Sequence, residues 1–81
     1  MMEKSVIISK INDFLEDEFE VEREDIKPEA NLKETLDLDS LDYVDLVVAI
    51  ESNFGVKLSA EDFVDVILLN DFYDLIDRKV N

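Results

Sequence analysis

Apolar residues near the start of the chain recur at Ile7, Ile11, Phe14, Leu15 and Phe19, the i, i+4, i+7, i+8 spacing of a single helix face. The pattern predicts a first helix over Ser5–Phe19. From Glu20 to Asp39 no period is sustained, and the one proline of the chain, Pro28, disfavours helical geometry at Lys27 before it. This stretch reads as a long ordered loop. A connection of that length is uncommon in a compact domain unless it is pinned, and Val21, Ile26, Leu32 and Leu36 are the residues available to pin it.

Periodicity resumes at Ser40. Tyr43, Leu46, Val47, Ile50 and Phe54 form one continuous stripe, the core face, and Leu41, Val44 and Val48 form a second apolar row beside it, either the edge of the core, the commoner case for aliphatic residues at this spacing, or a partly exposed contact strip. Neither Gly nor Pro interrupts Ser40–Asn53, Asp39 stands at the N-cap position, and Gly55 suits the left-handed residue that ends many helices. A second helix is predicted over Ser40–Asn53. In "LSAEDFVDVI", Ser59 offers an N-cap with acids in the following turn but little room before the next break, so a third helix should be short. The closing "NDFYDLIDRKV" carries apolar Phe72, Tyr73, Leu75, Ile76 and Val80, with Arg78 and Lys79 set against the negative end of the helix dipole. The expected fold is all-α: a small four-helix bundle with a long loop between helices 1 and 2 and a short third helix, one domain over residues 1–81.

Composition adds a charge and removes some chemistry. The 81 residues include 8 Lys and Arg against 22 Asp and Glu, a formal net charge of −14. At 47% hydrophobic the chain is too apolar to stay disordered. With that charge it repels nucleic acid and anionic lipid, both of which require Lys and Arg to neutralise phosphate. Basic surfaces are the partners it favours. The apolar run Val6–Ile8 is too short for a signal-peptide core, and no run approaches the roughly 20 apolar residues of a membrane span, so a cytoplasmic location is expected. The chain has no cysteine and no histidine, which excludes disulfides and thiolate or imidazole metal sites.

The acids crowd one region. From Glu34 to Val56 there are six (Glu34, Asp37, Asp39, Asp42, Asp45 and Glu51) and no Lys or Arg, and among them stands Ser40. Two accounts are open for this stretch. It is a solvated face, acidic because the whole chain is acidic, or it is a contact strip in which Asp39, Asp42 and Asp45 flank Leu41, Val44 and Val48. A catalytic serine requires a base to take its proton and donors to hold an oxyanion. Without His, Cys or a G-x-S-x-G elbow, and with Asp39 and Asp42 opposing an alkoxide, Ser40 is not a hydrolase nucleophile. A calcium loop also fails, because the run from Asp37 has Leu41 where the third ligand belongs and Asp42 where the glycine belongs. The role left to Ser40 is that of an acceptor, modified by another enzyme.

At this point the stretch "DSLDYVDLVVAIESNFGVKLS" resembles the acyl carrier proteins, small four-helix carriers whose D-S-L serine holds 4′-phosphopantetheine. The resemblance runs from about Ile7 to Ile76, since Ala30, Leu32 and Leu36 also fall at the family's distances before the serine. It implies that a phosphopantetheinyl transferase attaches 4′-phosphopantetheine from coenzyme A covalently to Ser40. It further implies a monomeric carrier without catalytic activity of its own. Such a carrier holds acyl groups as thioesters between acyl-chain synthases and acyltransferases with basic docking surfaces, in fatty acid or polyketide-like biosynthesis. Asp39, Leu41, Asp42, Val44, Asp45 and Val48 are the implied partner contacts, and no metal is implied. The sequence departs from the family's D-L-G-x-D-S-L at Thr35 and Asp37. It departs again at Leu68 and Leu69, where many members have Thr-Val, which moves the expected cap of the last helix to Asn70 or Asp71. Two other roles compete: a non-modified acidic interaction or inhibitor protein, and an aminoacyl or peptidyl carrier. Asp42, directly after "DSL", favours the acyl type over the latter.

Overall fold

The structure, a computed structural model, describes residues 2–36 and 42–81. Among the described residues are four α-helices and two 3-10 turns. Helix α1, Lys4–Glu18, buries Ile7, Ile11, Phe14 and Leu15, the stripe read from the sequence. Phe19 follows it, tilted against Phe14 with ring centroids 6.3 Å apart. The chain then reverses at Glu20, whose φ of 56° lies in the left-handed region, and the Val21 N–H donates to the Leu15 carbonyl at 3.1 Å. A residue with a Cβ is strained in that conformation.

The predicted long loop is more ordered than its lack of period suggests. It contains a 3-10 turn, Arg23–Asp25, and a short helix α2, Leu32–Leu36. Asn31 starts α2: its side-chain Oδ1 accepts the Glu34 N–H and its carbonyl accepts the Thr35 N–H, both at 2.9 Å. The expected pins hold, with Val21 and Leu32 buried and Ile26 and Leu36 packed against the core. Three backbone bonds tie this loop to the segment entering the last helix: Leu32 N–H to the Ile67 carbonyl at 2.9 Å, Leu69 N–H to Ala30 at 2.8 Å, and Asn70 N–H to Pro28 at 2.9 Å.

Helix α3 is described over Asp42–Phe54 and buries Leu46, Ala49 and Ile50, with Tyr43, Val47 and Phe54 half-buried at the margin. Its predicted start at Ser40 and its predicted cap at Asp39 lie outside the described residues. Gly55 closes it at φ 71° and donates to the Glu51 carbonyl at 2.9 Å. The short third helix expected after Ser59 is a single 3-10 turn, Ala60–Phe63. Asp62 accepts the Ser59 N–H there at 2.8 Å and also pairs with Lys79 at 3.3 Å.

Helix α4, Leu69–Val80, buries Leu69, Phe72, Tyr73, Leu75 and Ile76. It begins earlier than a cap at Asn70 or Asp71 would place it. Asp71 caps from inside the first turn instead, its carboxylate accepting the N–H groups of Ile67 at 3.2 Å and Leu68 at 2.9 Å. Those bonds, with that from Leu68 the larger cause, hold the Asp71 carboxyl below the usual aspartate value. The Tyr73 hydroxyl donates to Asn12 Oδ1 at 2.6 Å and so joins α4 to α1. Helix α1 packs directly on both α3 and α4, and the buried residues of all three share one core. Phe63 touches both α3 and α4, with Tyr43 edge-on at 5.2 Å and Phe72 stacked at 6.1 Å.

Candidate functional site

Three of the residues that the sequence singles out, Asp39, Ser40 and Leu41, lie outside the described residues. Asp42 opens the described part of α3, with its side chain outside what is described. The remaining three share one face of that helix. Val44 is 59% exposed and Val48 55% exposed, one turn apart, and the exposed Asp45 stands beside them. Leu46 and Ile50, on the opposite side, are fully buried. Among the described residues of the second apolar row, Val44 and Val48 are therefore no edge of the core. There the row faces solvent, where an isolated apolar side chain is ordinary but a row of them beside acids suits a contact.

The structure adds neighbours to this face that the sequence did not suggest. An open groove of ≈ 490 Å³ runs beside it, with Phe19, Leu36, Val48 and Ala49 as apolar lining and Glu18, Glu20, Asp45 and Ser52 as polar lining. Glu18 and Glu20 arrive there through the left-handed turn at Glu20, and Leu36 arrives on α2. No spacing along the chain links those residues to α3, and a left-handed residue that is neither Gly nor Asn leaves no mark in a sequence.

Among the described residues, most ion pairs lie away from this face. Arg23 donates to Glu16 at 2.6 Å and to Asp13 at 3.1 Å, and the two bonds, Glu16 first, raise its guanidinium above the usual arginine value. Lys4 pairs with Asp74, which raises its ammonium, and Lys79 pairs with Asp62. These cations engage acids of α1, α4 and the second 3-10 turn. Lys57, just beyond α3, comes within 4.0 Å of Glu51, near the end of that helix far from Asp42.

A group attached at Ser40 needs an acceptor hydroxyl and an open surface over which an arm can move. The serine stands two residues before the described start of α3, and the face that continues from there is solvent-exposed at Val44, Asp45 and Val48. A serine followed by this exposed face fits a covalently tethered prosthetic arm, the arrangement of a small helical carrier protein. The family described as "Phosphopantetheine attachment site" matches residues 9–76. The acyl carrier protein of Thermosynechococcus vestitus is 37% identical over 79 residues, covering 98% of both chains. That of Thermotoga maritima is 34% identical over 80 residues, covering 99% of both. A crystal structure of an acyl carrier protein from Thermotoga maritima superimposes with a TM-score of 0.76 at 26% identity, over 98% of this chain and 92% of that one. The chain belongs to the acyl carrier protein family, and its prosthetic group is 4′-phosphopantetheine.

Proposed function

We propose that Ser40 is the attachment residue and that the protein carries acyl intermediates between the enzymes of fatty acid or polyketide-like biosynthesis. The observation that most supports this is the exposed strip Val44–Asp45–Val48 of α3, which starts four residues after the one D-S-L serine in the sequence. When bound, the group supplies a terminal thiol on which acyl chains are held as thioesters, the sulfur that a chain without cysteine lacks. Ser40 offers the hydroxyl to a phosphopantetheinyl transferase. Asp39, Asp42 and Asp45 present carboxylates to Lys and Arg on that enzyme, on synthases and on acyltransferases, while Leu41, Val44 and Val48 add a small apolar contact.

Each exposed charge pair adds only about 0.2–1 kcal/mol to affinity, so the acids act mainly on encounter rate and orientation. Weak, fast docking suits a monomeric cytoplasmic shuttle that performs no catalysis itself. Incubating the protein with coenzyme A, Mg²⁺ and a broad-specificity transferase should add one phosphopantetheinyl group by intact mass, and Ser40→Ala should add none. An unmodified wild-type protein under those conditions would favour an acidic interaction protein instead.

A further inference from the structure

The open groove beside α3 is where three segments meet. Phe19 from the turn after α1, Leu36 from α2, and Val48 and Ala49 from α3 make its apolar floor. Glu18 and Glu20 enter from the first of these segments and Asp45 from the last, so carboxylates border the floor from two sides. Among the described residues, none of the lining is Lys or Arg, and no ion pair takes up any of the three acids. Two of those acids occupy positions that weaken the fold. Glu18 is the last residue of α1, at the negative end of the helix dipole, in a turn that holds no basic residue. Glu16 in the same turn is compensated by Arg23, whereas Glu18 is not. Glu20 holds a φ of 56° although it carries a Cβ. Local features that disfavour a fold and converge on one surface belong where that surface binds something.

An occupant must bring apolar side chains to the floor and cations to the walls. A second copy of this chain, itself at −14, fails the second requirement, as do nucleic acid and anionic lipid. Among the described residues no strand edge borders the groove, so an extended peptide has no ladder to join. An amphipathic helix fits, its apolar stripe laid on the floor and Lys or Arg along its flanks.

We propose that this groove is a docking site for a basic amphipathic helix of a partner protein, with Glu18 and Glu20 as the wall that selects it. The site shares Asp45 and Val48 with the α3 strip and so rests on the reading of that strip as a contact surface, but not on Ser40 as the attachment residue. To test it, the full unmodified chain is titrated with a synthetic helical peptide carrying Leu on one face and Lys on both flanks. A scrambled peptide of the same composition and an oligolysine of the same charge serve as controls, and backbone amide shifts and Kd are read. The amides of Phe19, Leu36 and Ala49 should shift, and the amphipathic peptide should bind at least about fivefold tighter than either control. Glu18→Gln and Glu20→Asn should each weaken it about two- to fivefold. Both variants should melt no lower than wild type, since each removes a feature that disfavours the fold, which separates lost binding from lost structure. Val48→Ser should weaken the amphipathic peptide and leave oligolysine unaffected. Shifts confined to Val44 and Asp45 would keep the α3 strip as a contact and overturn the groove. Equal binding of all three peptides, no saturable binding, or full affinity in Glu18→Gln and Glu20→Asn would overturn it too. Shifts at Phe19 and Leu36 that follow protein concentration without peptide would give the groove to a second copy and likewise refute the assignment.

Discussion

Asp71 shows how one carboxylate sets a helix start. Leu68 has no side-chain acceptor, so α4 has no N-cap of the usual kind, and Asp71 reaches back to the N–H groups of Ile67 and Leu68. These bonds hold its pKa below the ordinary value, led by the one from Leu68. A carboxyl with a depressed folded pKa contributes stability that is fully present above the unfolded value, about 3.9, and is lost as pH falls through the folded value. Asp71→Asn should therefore melt below wild type by a constant amount from about pH 5 to 8, and the gap should narrow below about pH 4. Paired thermal melts across that range check it, and a gap that persists unchanged into acid would show that Asp71 acts by packing. Ser59 and Asp62 were legible as a cap because Ser-x-x-Asp is a local signature. The cap of α4 was misplaced because its donors, Ile67 and Leu68, sit before the helix on apolar residues that carry no such mark.

At the scale of an element, α3 separates two apolar rows that look alike in sequence. Leu46 and Ile50 are fully buried, whereas Val44 and Val48 are more than half exposed. Truncating the first row removes transfer energy and leaves a cavity, so Leu46→Ala should cost about 2–5 kcal/mol in urea unfolding. Val44→Ser should stay within about 0.5 kcal/mol, because the Val44 side chain is more than half exposed. Similar losses from both would contradict the assignment of the faces. Periodicity made the rows legible, and the length and apolarity of α1 and α4 did the same for them. Helix α2 escaped because five residues are too few to show a period. Its start at Asn31, with Glu34 three residues on, was the local signal available, and Pro28 and the aperiodic sequence around it masked that signal.

Across the whole molecule the acidity is a property of sequence, but its arrangement is not. Arg23, Lys4 and Lys79 are engaged with acids of α1, α4 and the second 3-10 turn, while the α3 face presents Asp45 to solvent. The groove beside that face, with Glu18 and Glu20 along it, depends on the reversal at Glu20 and on the backbone ties between residues 28–32 and 67–70. Hydrophobic periodicity tells which side of a helix is buried and is silent on which segment covers it. Surface charges are screened beyond about 10 Å at 0.1 M salt. The kcat/KM with which a phosphopantetheinyl transferase loads this protein should thus fall several-fold between about 0.05 and 0.5 M NaCl, with most of the loss in KM. A salt-independent kcat/KM would remove the acidic face from the docking account.

The central claim concerns one hydroxyl, and the sequence offers a clean way to locate the modification. Trypsin cleaves after Lys33 and Lys57, with no Lys or Arg between them, so Ser40 and Ser52 fall together on the peptide Glu34–Lys57. After loading with coenzyme A and a transferase, fragmentation of that peptide by mass spectrometry should place a single phosphopantetheinyl group on Ser40 and leave Ser52 unmodified. A group found on Ser52, or on any peptide other than Glu34–Lys57, would contradict the account.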